Sequence, residues 1–119
     1  SAMMRMMIKR VAGLCDIPIQ RILEAANGAE ALAVLEANDV DALFTDINMP
    51  VMTGTELLRE LGKRERYRHL TRVIISTDGS SARRAEAREL NVRLYVEKPF
   101  RPEVMRDVLA QVTTRADVR

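Results

Sequence analysis

The chain has 119 residues, of which 47% are hydrophobic and 30% charged, and its formal net charge is +2 at pH 7. This length and composition predict one globular domain over residues 1–119, built around a single core. Two tyrosines, two phenylalanines and no tryptophan, with so small a net charge, argue against a nucleic-acid-binding surface. No apolar run approaches the roughly 20 residues of a membrane span, and the lone cysteine excludes an internal disulfide. We therefore expect a cytoplasmic protein that does not bind a membrane.

Hydrophobic periodicity predicts an alternation of helices and strands. An apolar stripe from Met4 to Leu14 predicts the first helix, and Pro102 begins a last helical stripe that ends at Val112. Residues 113–119 are expected to form a C-terminal tail. The other predicted helices cover residues 29–37, 55–67 and 82–90, and the predicted strands cover residues 21–26, 41–46, 72–76 and 93–96. Five helices alternating with four strands in this order predict an α/β fold, a doubly wound parallel sheet with helices on both faces.

Three residues with complementary chemistry stand where predicted strands end. They are Asp46, a hydroxyl from Ser76 or Thr77, and Lys98, and the carboxyl ends of parallel strands share one edge of the sheet, where such folds bind ligands. A carboxylate beside an ammonium group can attack phosphorus, while the ammonium and a hydroxyl hold the oxygens of the transferred group. The pattern therefore indicates phosphoryl transfer to Asp46. The alternative is that Asp46 caps the next helix or merely pairs with Lys98.

Three strings of residues resemble motifs of the response-regulator receiver family. Residues 44–54, Phe-Thr-Asp-Ile-Asn-Met-Pro-Val-Met-Thr-Gly, resemble its acceptor loop. Residues 74–79, Ile-Ile-Ser-Thr-Asp-Gly, resemble its switch-hydroxyl segment, and residues 95–100, Tyr-Val-Glu-Lys-Pro-Phe, its lysine-proline motif. The resemblance covers essentially the whole chain and implies the flavodoxin-like strand order of chemotaxis regulators. It also implies a regulatory phosphoacceptor of two-component signal transduction, with at most weak self-dephosphorylation, rather than an enzyme.

The resemblance assigns roles to individual residues. Asp46 would take a phosphoryl group from a histidine kinase or a small phosphodonor, and Lys98 would pair with the phosphoryl oxygens. Ser76, rather than Thr77, aligns with the hydroxyl that moves to the phosphoryl group. Tyr95 aligns with the aromatic ring that turns inward at the same time. This movement would repack a face on the last two helices and the last strand that binds a downstream effector protein.

Further roles concern the metal ion and the lifetime of the phosphorylated state. The resemblance implies a Mg²⁺ site that includes the Asp46 carboxylate and the backbone carbonyl of Asn48. Asn48 and Asp78 occupy positions that tune how fast the acyl phosphate is hydrolysed. The resemblance also implies a cis peptide bond between Lys98 and Pro99.

The sequence departs from the family pattern at its start. Family members begin with a central strand that ends in an acidic pair, whereas this sequence begins inside the first helix. We interpret the departure as a truncation, with Ser1 and Ala2 as a remnant of cloning. The alternative is a naturally shortened pseudo-receiver that acts as a phosphorylation-independent protein-binding module.

The missing strand has two expected consequences. The metal site would be incomplete with only Asp46 and the Asn48 carbonyl, so we expect weak or absent Mg²⁺ binding and poor phosphorylation. The strands on either side of the gap would expose unpaired backbone groups, which readily recruit another chain. We therefore expect a non-native dimer or an exchange of strands between copies.

Overall fold

The computed structural model describes residues 2–17, 19 and 21–118, and the chain divides into two compact units. One unit comprises residues 1–24 and 100–119, and the other comprises residues 25–99. The described residues form α1 (Ala2–Leu14), α2 (Gly28–Ala37), β1 (Ala42–Thr45), α3 (Gly54–Gly62), a 3-10 turn (Glu65–Tyr67), β2 (Thr71–Ser76), α4 (Ser81–Glu89), β3 (Leu94–Glu97) and α5 (Pro102–Val118).

The first unit consists mainly of two helices, α1 and α5, which pack against each other. The apolar stripes predicted for them are buried, with Ile8 and Val11 on α1 and Met105 and Leu109 on α5. The helix α5 continues to Val118, so the expected tail is helical almost to its end. No helix in the described part of the chain is both long enough and apolar enough to cross a membrane.

The second unit contains the whole sheet that the described residues form. Its three parallel strands lie in the order β1-β2-β3, as expected for a flavodoxin-like α/β fold. The central strand β2 is buried along its entire length, which explains the continuous apolar run Val73-Ile74-Ile75. Register pairs Thr45 with Ile74 and Ser76 with Glu97, so the three strands end at the same edge.

The prediction of four strands was wrong, because residues 21–26 form no strand. A strand persists through hydrogen bonds to a neighbour, and an apolar pattern alone does not supply them. No strand of the described chain pairs with residues 21–26, so the sheet of the described chain has three strands.

Helix boundaries in the second unit follow from caps. Asn27 accepts a hydrogen bond from the Glu30 N–H (2.9 Å) and begins α2. Thr53 and Glu56 form a reciprocal capping box that begins α3. The prediction that this helix reaches residue 67 was wrong: it ends at Gly62, because Arg64 has an extended backbone that the helix cannot continue through.

Leucines of α3 form the centre of the second unit's core. Leu57, Leu58 and Leu61 are at most 1% exposed. Burying a leucine contributes about 1.5–3 kcal/mol to stability. The buried leucine face of α3 therefore holds this helix in place, and with it the end of the loop that precedes it. The cluster also contains residues of the other elements around the sheet: Ala31, Leu35, Ile47, Tyr67, Leu70, Ile74 and Ala87.

Candidate functional site

The three residues singled out from the sequence lie at the carboxyl edge of the sheet. Asp46 directly follows β1, Ser76 ends β2 and Lys98 directly follows β3. The Lys98 N–H donates to the Ser76 carbonyl (2.8 Å), which extends the β2–β3 ladder by one step. This bond fixes the backbone of Lys98 beside Ser76. The peptide bond from Lys98 to Pro99 is cis, which confirms that prediction.

The carboxylate of Asp46 and the ammonium group of Lys98 are in direct contact. Lys98 Nζ lies 3.0 Å from Asp46 Oδ2, and the two side chains are about one-third exposed, at 34% and 35%. Asp46 Oδ1 accepts hydrogen bonds from the N–H groups of Ile47 (2.7 Å) and Asn48 (3.4 Å). Both carboxylate oxygens are therefore held by donors, yet the group remains accessible to a reactant from solvent.

The loop after Asp46 depends on a close approach of two backbone segments. The Gly54 N–H donates to the Ile47 carbonyl (2.8 Å), and a Cβ atom on Gly54 would lie 1.9 Å from the Asp46 carbonyl oxygen. Only glycine fits there. In the same loop Val51 has a φ of +68° and is 82% exposed, a strained conformation for a β-branched residue. These backbone contacts help to position Asp46, together with the packing of Ile47 in the core.

Ser76 is completely buried, whereas the neighbouring Thr77 is exposed. Ser76 Oγ accepts a hydrogen bond from the Asp78 N–H (3.1 Å). Among the described residues, no acceptor takes the Ser76 hydroxyl proton, and no side-chain hydrogen bond joins Ser76 to Asp46. The Ser76 hydroxyl proton therefore has no acceptor within the described structure.

The carboxylate of Asp78 interacts with residues at the start of α4. Its Oδ1 accepts a hydrogen bond from the Ser80 N–H (3.0 Å), and Arg83 Nε lies 3.5 Å from its Oδ2. The hydrogen bonds from Ser80, and to a smaller extent the charge of Arg83, lower the pKa of the Asp78 carboxyl. The carboxylate form of Asp78 is thus stabilised in the folded protein.

Tyr95 is the fourth residue in contact with Asp78. Its hydroxyl donates to the Asp78 carbonyl, and its half-buried ring packs against the core of the unit. The guanidinium of Arg84 covers the ring at 4.8 Å from the centroid. Sequence reasoning did not predict the contact between Arg84 and Tyr95, because a chain separation of eleven residues does not indicate a contact between two elements. Arg84 also pairs with Glu97, at 3.2 Å from Nη2 to Oε1.

The described residues do not fit a complete Mg²⁺ site. Magnesium requires near-octahedral coordination by oxygen atoms. No group of three or more Asp, Glu, His or Cys side chains converges within the part of the chain that the structure describes. Asp46 offers a single carboxylate, and its oxygens already contact Lys98, Ile47 and Asn48.

Comparison with known proteins agrees with this geometry. The family model for the response regulator receiver domain matches residues 2–110. The chemotaxis protein CheY1 of Helicobacter pylori is 35% identical over 113 residues, covering 94% of this chain and 90% of that protein. CheY of Pseudomonas aeruginosa is 34% identical and covers 96% of this chain and 90% of its own length.

Solved structures show the same fold. CheY4 of Vibrio cholerae is 28% identical, with a TM-score of 0.79 over 94% of this chain and 91% of that one. The receiver domain of the sensor histidine kinase PA1611 from Pseudomonas aeruginosa, solved with a magnesium ion in its active site cleft, has a TM-score of 0.79 at 19% identity. It covers 95% of this chain and 87% of its own, and at that identity it supports the fold alone. This chain belongs to the response regulator receiver domain family and is a CheY-like receiver of two-component signal transduction.

Proposed function

We propose that Asp46 accepts a phosphoryl group from the phosphohistidine of a histidine kinase or from a small phosphodonor. The contact of 3.0 Å between Asp46 and Lys98 at the ends of β1 and β3 is the observation that supports this role most strongly. An oxygen of Asp46 attacks phosphorus, the bond from phosphorus to the donor atom breaks, and the donor keeps the electron pair. The product is an acyl phosphate on Asp46.

Lys98 and Ser76 stabilise the phosphorylated form in this proposal. Lys98 already lies beside the carboxylate, so its ammonium group meets the added negative charge with little movement. Ser76 donates its uncommitted hydroxyl proton to a phosphoryl oxygen. Because the Asp78 N–H donates to Ser76 and the Asp78 carbonyl accepts from Tyr95, a movement of Ser76 changes the hydrogen bond that holds the Tyr95 ring. CheY-type receivers interact with histidine kinases and downstream effectors, and we propose that Tyr95 transmits the change to an effector protein.

The chain acts as one receiver domain over residues 1–119 in this proposal, and it is a regulatory phosphoacceptor rather than a conventional enzyme. Its weak self-dephosphorylation is tuned by Asn48, which is exposed beside Asp46, and by Asp78. The alternative of a phosphorylation-independent module is less well supported, because the Asp46 carboxylate contacts Lys98 and Ser76 ends the strand between theirs.

Mg²⁺ binding is weak or absent in this proposal, and phosphorylation is slow. The reason is the incomplete set of oxygen ligands around Asp46, whose oxygens contact Lys98 and two backbone N–H groups. Calorimetric titration of the chain with MgCl₂ tests this point. We expect no saturation at millimolar concentrations, and a dissociation constant in the micromolar range would contradict it.

The outer edge of β1 supports the proposal of a dimer or strand exchange between copies. The Thr71 N–H donates to the Asp41 carbonyl (3.1 Å). In a parallel pair, the backbone N–H and C=O groups of successive residues point alternately towards and away from the partner strand. The backbone groups of Ala42 and Phe44 therefore point away from β2. No strand of the described chain pairs with that side. Such an edge recruits a strand from another chain.

Light scattering at increasing protein concentration tests this second proposal. We expect the unmodified chain to dimerise and Ala42→Pro to remain monomeric, because proline removes an outward N–H at the first residue of the strand and spares the bonds to Thr71. A compact monomer at high concentration for both proteins would contradict the proposal.

Intact-mass spectrometry after incubation with acetyl phosphate tests the role of Asp46. The unmodified chain should slowly gain the mass of one phosphoryl group, and Asp46→Asn should gain none. Lys98→Met should react at least about tenfold more slowly, because it removes the only ammonium group shown to contact the carboxylate in the described structure. Equal gains on the unmodified chain and Asp46→Asn would place the acceptor elsewhere.

A further inference from the structure

Arg84 makes three contacts at once on the outer side of Tyr95. Its guanidinium carbon lies 4.8 Å from the centroid of the Tyr95 ring. Its Nε donates to the Gly79 carbonyl (3.2 Å), and its Nη2 lies 3.2 Å from Glu97 Oε1. At this distance the guanidinium makes a cation–π contact with the ring, and its two hydrogen bonds hold it there. Arg84 therefore covers the ring from the solvent side.

The other side of the Tyr95 ring faces the protein interior. The ring packs against the core cluster that includes Ile74 and Ala87. Its hydroxyl donates to the Asp78 carbonyl. We call this arrangement the inward position of Tyr95. The ring is thus held by the core on one face, by Asp78 at its tip and by Arg84 on the outer face.

The backbone of Asp78 connects this arrangement to the phosphorylation site. Its N–H donates to Ser76 Oγ (3.1 Å), and its carbonyl accepts from the Tyr95 hydroxyl. One residue therefore contacts both the hydroxyl and the aromatic ring. Any change that releases Tyr95 removes a bond from the residue that also holds Ser76.

We propose that Arg84 is a positioning residue that holds Tyr95 in the inward position and thereby sets how readily the switch at Asp46 responds. The conformational part stands on the contacts of Arg84, and its effect on Asp46 rests on the proposed function. If the inward position and a phosphoryl group on Asp46 favour each other, weakening the first lowers the population of the second. A cation–π contact with a partly exposed ion pair predicts that loss of Arg84 shifts the ratio of inward to outward rings by about two- to tenfold.

The experiment uses the small number of aromatic residues in the chain. It has two tyrosines and no tryptophan, and the Tyr67 hydroxyl has no hydrogen-bond partner among the described residues. Tyr67→Phe therefore leaves Tyr95 as the sole tyrosine fluorophore without removing a hydrogen bond. In this background we compare Arg84→Ala, Arg84→Lys and Arg88→Ala. Arg88 is the matched control, because it is exposed on the same helix and has no ion pair within the described structure.

Acrylamide quenching of Tyr95 fluorescence in the unphosphorylated chain measures the exposure of the ring. Arg84→Ala should raise the quenching constant about twofold or more, because the cation that covers the ring is gone. The quenching constant of Arg84→Lys should lie between those of the parent and Arg84→Ala, since lysine keeps a cation but lacks the planar guanidinium group. Arg88→Ala should match the parent. Equal quenching in Arg84→Ala and Arg88→Ala overturns the positioning role.

The extent of phosphorylation by acetyl phosphate gives the second readout. It should fall about two- to tenfold in Arg84→Ala and stay unchanged in Arg88→Ala. Equal extents in the two variants overturn the coupling to Asp46. If no variant is phosphorylated, the proposed function fails, while the quenching data still decide whether Arg84 positions Tyr95.

Discussion

Replacing Gly54 with alanine should damage both the stability of the protein and the site at Asp46. The new methyl carbon would lie 1.9 Å from the Asp46 carbonyl oxygen and 2.9 Å from its carbonyl carbon. An ordinary contact needs a separation of about 3.4 Å, so one backbone segment must move by more than about 1 Å. Such overpacking costs about 1–3 kcal/mol, and losing the hydrogen bond from Gly54 to Ile47 costs about 1 kcal/mol more. We expect a loss of about 2–4 kcal/mol in the free energy of unfolding.

Gly62→Ala is a matched control at the other end of α3. A Cβ atom there meets no atom within 4 Å, so the substitution should be neutral or stabilise the helix by about 0.5–1 kcal/mol. Urea unfolding followed by circular dichroism gives both values, and acetyl phosphate labelling reports on Asp46. Gly54→Ala should unfold at lower urea concentration and label more slowly, because Asp46 is displaced from Lys98. Identical unfolding curves for the two variants would refute the inferred close approach.

Three further predictions concern stability. Val51→Asn should raise the free energy of unfolding by about 0.5–1 kcal/mol in urea melts, since asparagine tolerates a φ of +68° better than valine; a gain no larger than that of Val51→Ala would contradict this. Tyr67→Phe should stabilise the protein by about 1 kcal/mol, because it removes a buried hydroxyl without a partner among the described residues, and a lower urea midpoint would reveal a hidden hydrogen bond. Hydrogen bonds from Thr53 lower the pKa of Glu56 from its ordinary 4.5, so this stabilisation is present above about pH 4.5 and is lost as the pH falls through the folded-state pKa. Urea midpoints between about pH 6 and pH 3 should fall less for Glu56→Gln than for the parent, and equal slopes would exclude this contribution.

Much of the fold could be predicted because local signals agree with the tertiary structure. The β-branched run of β2 and the Asn27 and Ser80 caps fix elements within a few residues. Residues 21–26 show the limit of this reasoning. Their apolar pattern is that of a strand, but a strand forms only when a neighbouring strand supplies hydrogen bonds. A local sequence pattern does not show whether such a neighbouring strand is present.

The candidate site, like the fold, could be predicted only in part. Asp46, Ser76 and Lys98 could be placed together because parallel strands end at one edge of a sheet. The contact between Arg84 and Tyr95 could not, since it depends on the exact rotation of α4 beside β3. The three contacts of one guanidinium are a property of the packed structure and have no counterpart in residue spacing.

Chemical trapping of the acyl phosphate tests the central claim most directly. The chain is incubated with acetyl phosphate and reduced with borohydride, which converts an aspartyl phosphate to homoserine, and the site is located by peptide mass spectrometry. The phosphoacceptor role of Asp46 predicts homoserine at position 46 in the unmodified chain and no reduction product in Asp46→Asn. Homoserine at another position, or no product in the unmodified chain after prolonged incubation, would contradict it.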